Sequence, residues 1–327
     1  MNLQQEYYQT TSPILLILFN RWDTALQVLE AIGQAKPGTL YISADGPRTS
    51  RLGEDLKCLE TKIKVLVAID WECEVKTFFR EENVGPKEAI SSAISWMFEH
   101  EEQGIVLEHD CLPSNDFFKF CDQLLYKYKF DSRIWLISGS NFQSRETKWG
   151  DGSYYYSNLT NGWGWATWKR SWELYDKDLK KYNTDEVRTQ LEKVFNDKLI
   201  VDRWEEIFNQ TKGNQIDTWD YQATFTHLFN HSLNIVSNYN LVSNIGFGEF
   251  AENTLDANSV FANVPYERLP DLVHPTYMLP EIGADRRTLY EEFHIADKLA
   301  EIQNQNKPRR RFKRWLKSLF VKKSLPS

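Results

Sequence analysis

The first half of the chain alternates short apolar runs with longer amphipathic stretches. Ile14 to Phe19 is a continuous apolar run stopped by Asn20-Arg21, and Asp23 to Ile32 has helical spacing that predicts a helix closed by Gly33. Leu40 to Ser43 predicts a second strand, ended by Asp45-Gly46-Pro47. Helical periodicity returns over Glu54 to Ala68, and Val75 to Phe79 alternates like a strand. A helix is predicted over Pro86 to Glu102, with Ile90, Ala93, Ile94 and Met97 on one face. Gly104 to Leu107 reads as a buried strand, Asp116 to Tyr128 as a helix and Ile134 to Ile137 as a strand. Continuous apolar strands separated by helices predict a parallel sheet covered on both faces. Ligands of such sheets bind beyond the carboxyl ends of the strands. Polar clusters fall at four of those ends: Asn20-Arg21, Asp45-Gly46, Glu108-His109-Asp110 and Ser138-Gly139-Ser140.

The second half changes character. Asn161 to Trp168 is rich in Gly and Trp, and helical stretches are expected near Ala166 to Tyr175, Asp185 to Phe195 and Val201 to Gln210. Asp217-Thr218-Trp219-Asp220 opens a further helix, with Asp217 or Thr218 as its N-cap. Leu233 to Val236 and Leu241-Val242 predict short strands. From Lys307 to Lys323 nine basic residues occur without an acidic one, and Phe312, Trp315, Leu316, Leu319 and Phe320 recur among them at helical spacing. A basic amphipathic tail of this kind suits an anionic membrane surface, with a solvated terminus as the alternative.

The 327 residues are 41% hydrophobic and 26% charged, the balance of a globular chain with a sizeable core. A net charge of -7 argues against general affinity for nucleic acid. Cys58, Cys73, Cys111 and Cys121 show no CxxC spacing, so neither a zinc site nor a disulfide framework is expected. The N-terminus has no signal-peptide core, and no apolar run approaches the roughly 18 residues that span a bilayer. The expected location is cytoplasmic, with peripheral contact at the inner face of the membrane through the tail.

Glu108-His109-Asp110 places two carboxylates at an open rim, where a hard cation such as Mg²⁺ or Mn²⁺ takes oxygen ligands. Such a cation would bridge the phosphates of a nucleotide-sugar. Arg21 can pair with a diphosphate in a two-pronged manner, or form a surface ion pair. Asp45 can accept from a base edge, or serve the Asp-Gly turn. Lys87 lies at a helix N-terminus, which favours phosphate, or is an exposed lysine.

These segments, in this order, resemble the GT-A glycosyltransferases related to the N-acetylglucosaminyltransferase that starts complex N-glycans. The residues that carry the likeness are Ile14 to Arg21, Ile42 to Gly46, Val106 to Asp110 and Asp116-Phe117-Phe118. Bacterial sugar transferases once called hemolytic-protein-like are similar as well, sharing Gly162 to Trp168 and Ser243-Asn244-Ile245-Gly246. The resemblance spans about residues 12 to 255. It implies a GT-A, Rossmann-like α/β fold, with a mixed, mostly parallel central sheet flanked by helices. It implies a single domain over 12–300, with a nucleotide-sugar half at 12–140 and an acceptor half at 141–300. Residues 1–11 would be an extension and 301–327 the tail.

The implied activity is inverting transfer of a hexosyl or N-acetylhexosaminyl group from a nucleotide diphosphate-sugar to a saccharide or lipid-linked acceptor, as in polysaccharide biosynthesis. Arg21, Asp45, Lys87, Glu108 and His109 would serve the donor, and Asp110 would bind Mn²⁺ or Mg²⁺. The family has an acid where His109 stands, so one negative charge beside the metal is missing. Asp220, in Trp219-Asp220-Tyr221, would be the base, with Asp217 its competitor. Trp163, Trp165 and Trp219 would form the acceptor platform. The competing expectations are a nucleotidyltransferase and a non-catalytic carbohydrate- or membrane-binding protein. The first usually carries a Gly-rich loop where this chain has Asn20-Arg21-Trp22-Asp23.

Overall fold

A computed structural model describes residues 7–143, 146–248, 256 and 259–306. The basic pattern over 307–323 lies outside the described residues. The strands are Ile14–Leu18 (β1), Thr39–Ala44 (β2), Glu74–Phe79 (β3), Gln103–Glu108 (β4), Cys111–Pro113 (β5), Ile134–Ser138 (β6), Tyr154–Ser157 (β7), Trp165–Trp168 (β8), Leu233–Ser237 (β9) and Val242–Asn244 (β10). The helices are Trp22–Ala35 (α1), Glu54–Val67 (α2), Pro86–His100 (α3), Asn115–Lys127 (α4), Lys169–Trp172 (α5), Thr184–Val194 (α6), Lys198–Lys212 (α7), Asp220–Phe229 (α8), Ile282–Glu292 (α9) and Ile295–Asn306 (α10).

Eight strands form one mixed, mostly parallel sheet in the order β3-β2-β1-β4-β8-β6-β9-β7, flanked by helices. β3, β2, β1 and β4 run parallel, β8 is antiparallel between β4 and β6, and β7 closes the far edge antiparallel to β9. The parallel strands are apolar throughout because both faces are covered. Leu16 and Leu18 pack with Val28, Leu29 and Phe117 from α1 and α4, whereas Leu15 and Ile17 pack with Ile90, Ile94 and Met97 from α3. A separate apolar cluster joins α6, α7, α8 and α9.

The chain leaves β1 toward β2 and β3, then returns to β4 on the other side of β1. The strand order therefore reverses between β1 and β4, and the crevice at their carboxyl ends is where such sheets bind ligands. Two segments fold differently from expectation. α1 continues through Gly33 to Ala35 and ends at Lys36 in the left-handed conformation. Gly33 is there for space, since a Cβ would lie 3.1 Å from the Trp71 ring. The helix expected over Ala166 to Tyr175 is shorter: Ala166 to Trp168 belong to β8, between β4 and β6, and only Lys169–Trp172 are helical. Aromatic and β-branched residues suit that position between two strands, so pairing overrides the helical spacing.

Candidate active site

A cavity of about 450 Å³ opens at the β1–β4 switch point. Arg21 follows β1, and Glu108, His109 and Asp110 end β4; all four line it. Opposite them stand Asp217 to Tyr221 at the start of α8, and Glu292 at the end of α9. Phe142, Trp163 and Phe261 form an aromatic wall. Trp163 meets Phe142 edge-on at 4.8 Å, and Phe142 meets Phe261 at 5.1 Å.

Asp110 is held by the segment Ser243 to Gly246. Asn244 of β10 pairs with Cys111 of β5, and the Ile245 N–H donates to the Asp110 carbonyl at 2.9 Å. A Cβ on Gly246 would stand 2.0 Å from Asp110 Oδ2, so only glycine lets the carboxylate lie where it does. The Gly246 carbonyl accepts from Arg21 Nη1 at 2.8 Å, which ties the cation between β1 and α1 to the same turn. The His109 N–H donates to the Ile17 carbonyl at 2.9 Å, locking the end of β4 to β1.

The acidic groups act on one another. Glu108 is pushed up to about 8, first by desolvation and then by the charges of Asp110 and Asp220, against a hydrogen bond from the Trp219 side chain. Asp220 is also raised, chiefly by desolvation, although Thr218 Oγ1 and the Tyr221 N–H both donate to Oδ1. Glu292 is raised by desolvation and then by Asp220. Glu108 and Glu292, raised by burial and by neighbouring carboxylates, make a setting that a divalent cation would relieve. Their hard oxygens are the donors Mg²⁺ and Mn²⁺ prefer, and those ions commonly take one or two carboxylates together with phosphate oxygens and water. Among the described residues no three His, Cys, Asp or Glu side chains gather closely enough to cage a metal by themselves. The residues thus fit a cation shared with a phosphate ligand better than a structural metal.

Three expected residues stand elsewhere. Asp45 does not line the cavity; it is 7% exposed and accepts from Asn83 Nδ2 and from the Gly46 and Val84 N–H groups, serving the turn. Lys87 Nζ lies 3.2 Å from Asn214 Oδ1 and 3.4 Å from Asp178 Oδ1, outside the cavity lining. Trp165 is 1% exposed and stacks behind Trp219 at 5.1 Å, so it offers no free face to an acceptor. Trp219 itself reaches the cavity, with Gly162 leaving room for it: a Cβ there would lie 3.1 Å from its ring.

Asp217 does not cap α8, whose cap position is Trp219 without a side-chain bond. It accepts from the Lys87 N–H at 3.1 Å and so caps α3, beside Gly85 at φ 82°. Glu292, Phe142 and Phe261 were not legible as site residues. Glu292 reaches the cavity because α9 is anchored by buried Asp285, which accepts from Ser157 Oγ and the Asn158 N–H.

No protein-family model and no curated protein matches the sequence. Solved structures align with parts of the chain. HddC from Yersinia pseudotuberculosis is 12% identical over 53% of this chain and 80% of that one, with a TM-score of 0.30. The mannosyltransferase PcManGT from Pyrobaculum calidifontis, in complex with GDP-Man and Mn²⁺, is 12% identical over 68% and 70%, with a TM-score of 0.35. A UDP-glucose pyrophosphorylase complexed with UDP-glucose is 11% identical over 69% and 90%, with a TM-score of 0.38. Likeness at this level carries no argument about activity, which rests on the cavity itself.

Proposed function

We propose that the protein is a metal-dependent, inverting glycosyltransferase that moves a sugar from a nucleotide diphosphate-sugar to a saccharide or lipid-linked saccharide. One observation carries the reading: Asp110 and Asp220, from opposite halves of the chain, face one cavity with an aromatic wall. Asp110, supported by Glu108, would hold Mn²⁺ or Mg²⁺ against the donor phosphates. The bound ion would supply charge stabilisation for the departing nucleoside diphosphate. Arg21, already oriented by the Gly246 carbonyl, lies on the diphosphate side. His109 is a hydroxyl partner for the donor's ribose.

Asp220 takes the acceptor proton. Its raised pKa makes it a stronger base than an ordinary aspartate, and Thr218 and the Tyr221 N–H fix its carboxylate. The acceptor oxygen then attacks the anomeric carbon as the bond to the diphosphate breaks. Trp163 and Trp219 offer the apolar surfaces on which a sugar face packs. Asp45 and Lys87, outside the cavity lining, would serve as the frame around the site.

The test is incubation with a panel of nucleotide-sugars, Mn²⁺ and saccharide acceptors, following the released nucleotide. Release of nucleoside diphosphate together with a glycosylated acceptor is expected. Release of pyrophosphate from a nucleoside triphosphate and a sugar phosphate would identify a nucleotidyltransferase instead.

A further inference from the structure

The proposed transfer uses Glu108, Asp110 and Asp220, and Asp217 caps α3, but Glu292 lines the same cavity without a task. It is the last residue of α9, and it is exposed. A negative charge there meets the negative end of the helix dipole, which disfavours it. Crowding by the surrounding protein and then the charge of Asp220 push its pKa up to about 7. Arg203 opposes that shift, but its guanidinium is bound to Glu206 Oε2 at 2.8 Å and lies over the Phe293 ring. Among the described residues that line the cavity, Arg21 is the one arginine or lysine, and the Gly246 carbonyl holds it beside Asp110. Among the described residues nothing is hydrogen-bonded or ion-paired to the Glu292 carboxylate.

The residue is nevertheless firmly placed. Leu289, one turn before it, and Phe293, next to it, are buried in the cluster that joins α6, α7, α8 and α9. Phe293 meets the Trp204 ring edge-on at 5.2 Å. Earlier in α9, Thr288 Oγ1 accepts from Gln143 Nε2 at 2.6 Å, and Asp285 accepts from Ser157 of β7. A rigid element thus presents to the cavity an acid that the folded protein does not stabilise. Local rules are broken in this way where a side chain is kept for a ligand.

Its neighbours indicate which ligand. Glu108 is raised by both Asp110 and Asp220, whereas the cavity acid that raises Glu292 is Asp220. Glu292 therefore neighbours the base rather than the metal ligand. The cavity also holds the aromatic wall of Phe142, Trp163 and Phe261. Aromatic surface together with carboxylates suits a sugar, whose ring face packs while its hydroxyls donate to the charged oxygens.

We propose that Glu292 accepts a hydrogen bond from a second hydroxyl of the acceptor sugar, other than the one that Asp220 deprotonates. The inference rests on the glycosyltransferase reading of the cavity. It defines the acceptor as an uncharged sugar with both of those hydroxyls free. A phosphate or carboxylate at the second position would meet Glu292 and Asp220 as a like charge, with no protein cation between them, so such acceptors are refused.

Initial-rate kinetics test this, with Mn²⁺, the donor, the panel saccharide that the wild type glycosylates and monodeoxy forms of that saccharide. Glu292→Ala should lower kcat/KM for the acceptor by about 10–100-fold, mostly through acceptor KM, with donor KM unchanged. Loss of one particular acceptor hydroxyl should cost the wild type about the same factor. It should cost Glu292→Ala almost nothing more, because both changes remove one contact. Glu292→Gln, which still accepts but carries no charge, should fall between wild type and Glu292→Ala. Its Tm at pH 8 should equal or exceed that of wild type, since an uncompensated charge is removed. Additive losses with every deoxy acceptor, an equal rise in donor KM, or a lower Tm for Glu292→Gln would each overturn the proposal. A wild type that transfers no sugar would instead overturn the glycosyltransferase reading, and the proposal with it.

Discussion

Asp220 is the first residue of α8, where backbone donors hold its carboxylate while the cleft raises its pKa. If it is the base, Asp220→Asn should lower kcat by about 10²–10⁴-fold while the affinity for donor nucleotide stays near wild type. Steady-state kinetics with calorimetric donor titration separates the two. Gly246→Ala acts on the other half of the site. With no room beside Asp110 Oδ2, a methyl must displace the carboxylate, so the Mn²⁺ concentration for half-maximal rate should rise about tenfold or more. His227 bears on stability instead. It is fully buried, its Nε2 has no partner, and desolvation holds its pKa at about 4. An unfolded histidine protonates near 6.5, so between pH 6.5 and 4 the unfolded state binds the extra proton and stability falls as pH drops. About 3 kcal/mol is at stake, all of it present above pH 6.5. Because Glu108 and Glu292 titrate in the same window with the opposite sign, the test is the difference between proteins: urea unfolding should show His227→Gln gaining about 2–3 kcal/mol on wild type between pH 7.5 and pH 4.5.

The elements of the parallel half were legible because each strand is a short apolar run between helical patterns, and the register puts Leu16 and Leu15 on opposite faces as that pattern requires. The polar strand ends marked the ligand side of the sheet, but the strand order that puts the switch point between β1 and β4 comes from the structure, and the ends at Asp45 and Ser138 do not line the cavity. What was not legible depended on contacts distant in sequence. Gly33 looks like a helix stop but makes room for Trp71, and Asp217 looks like a cap for α8 but caps α3, 130 residues earlier. Trp163 and Trp165 are two residues apart in one Gly-Trp segment, yet pairing of β8 turns Trp165 inward and leaves Trp163 on the cavity. Thermal unfolding should tell them apart. Trp165→Ala should cost about 3–5 kcal/mol and lower Tm markedly. Trp163→Ala should cost about 1 kcal/mol and raise the acceptor KM with donor KM unchanged.

At the scale of the whole molecule, one sheet takes strands from both halves of the chain, and the cavity lies where those halves meet. Glu108 and Asp110 come from the end of β4, and Asp220 and Glu292 from α8 and α9, so the cavity requires the complete sheet and its helical cover. Among the described residues no helix is long and apolar enough to cross a membrane. The central claim is that Asp110 joins a divalent cation to a nucleotide-sugar, and thermal stabilisation by nucleotide-sugars with and without Mn²⁺ tests it most directly. A ligand at about 100 times its Kd should add about 2.7 kcal/mol, read as a Tm rise of several degrees that needs Mn²⁺ and disappears in Asp110→Asn. Stabilisation of the same size without the metal, or undiminished in Asp110→Asn, would contradict it.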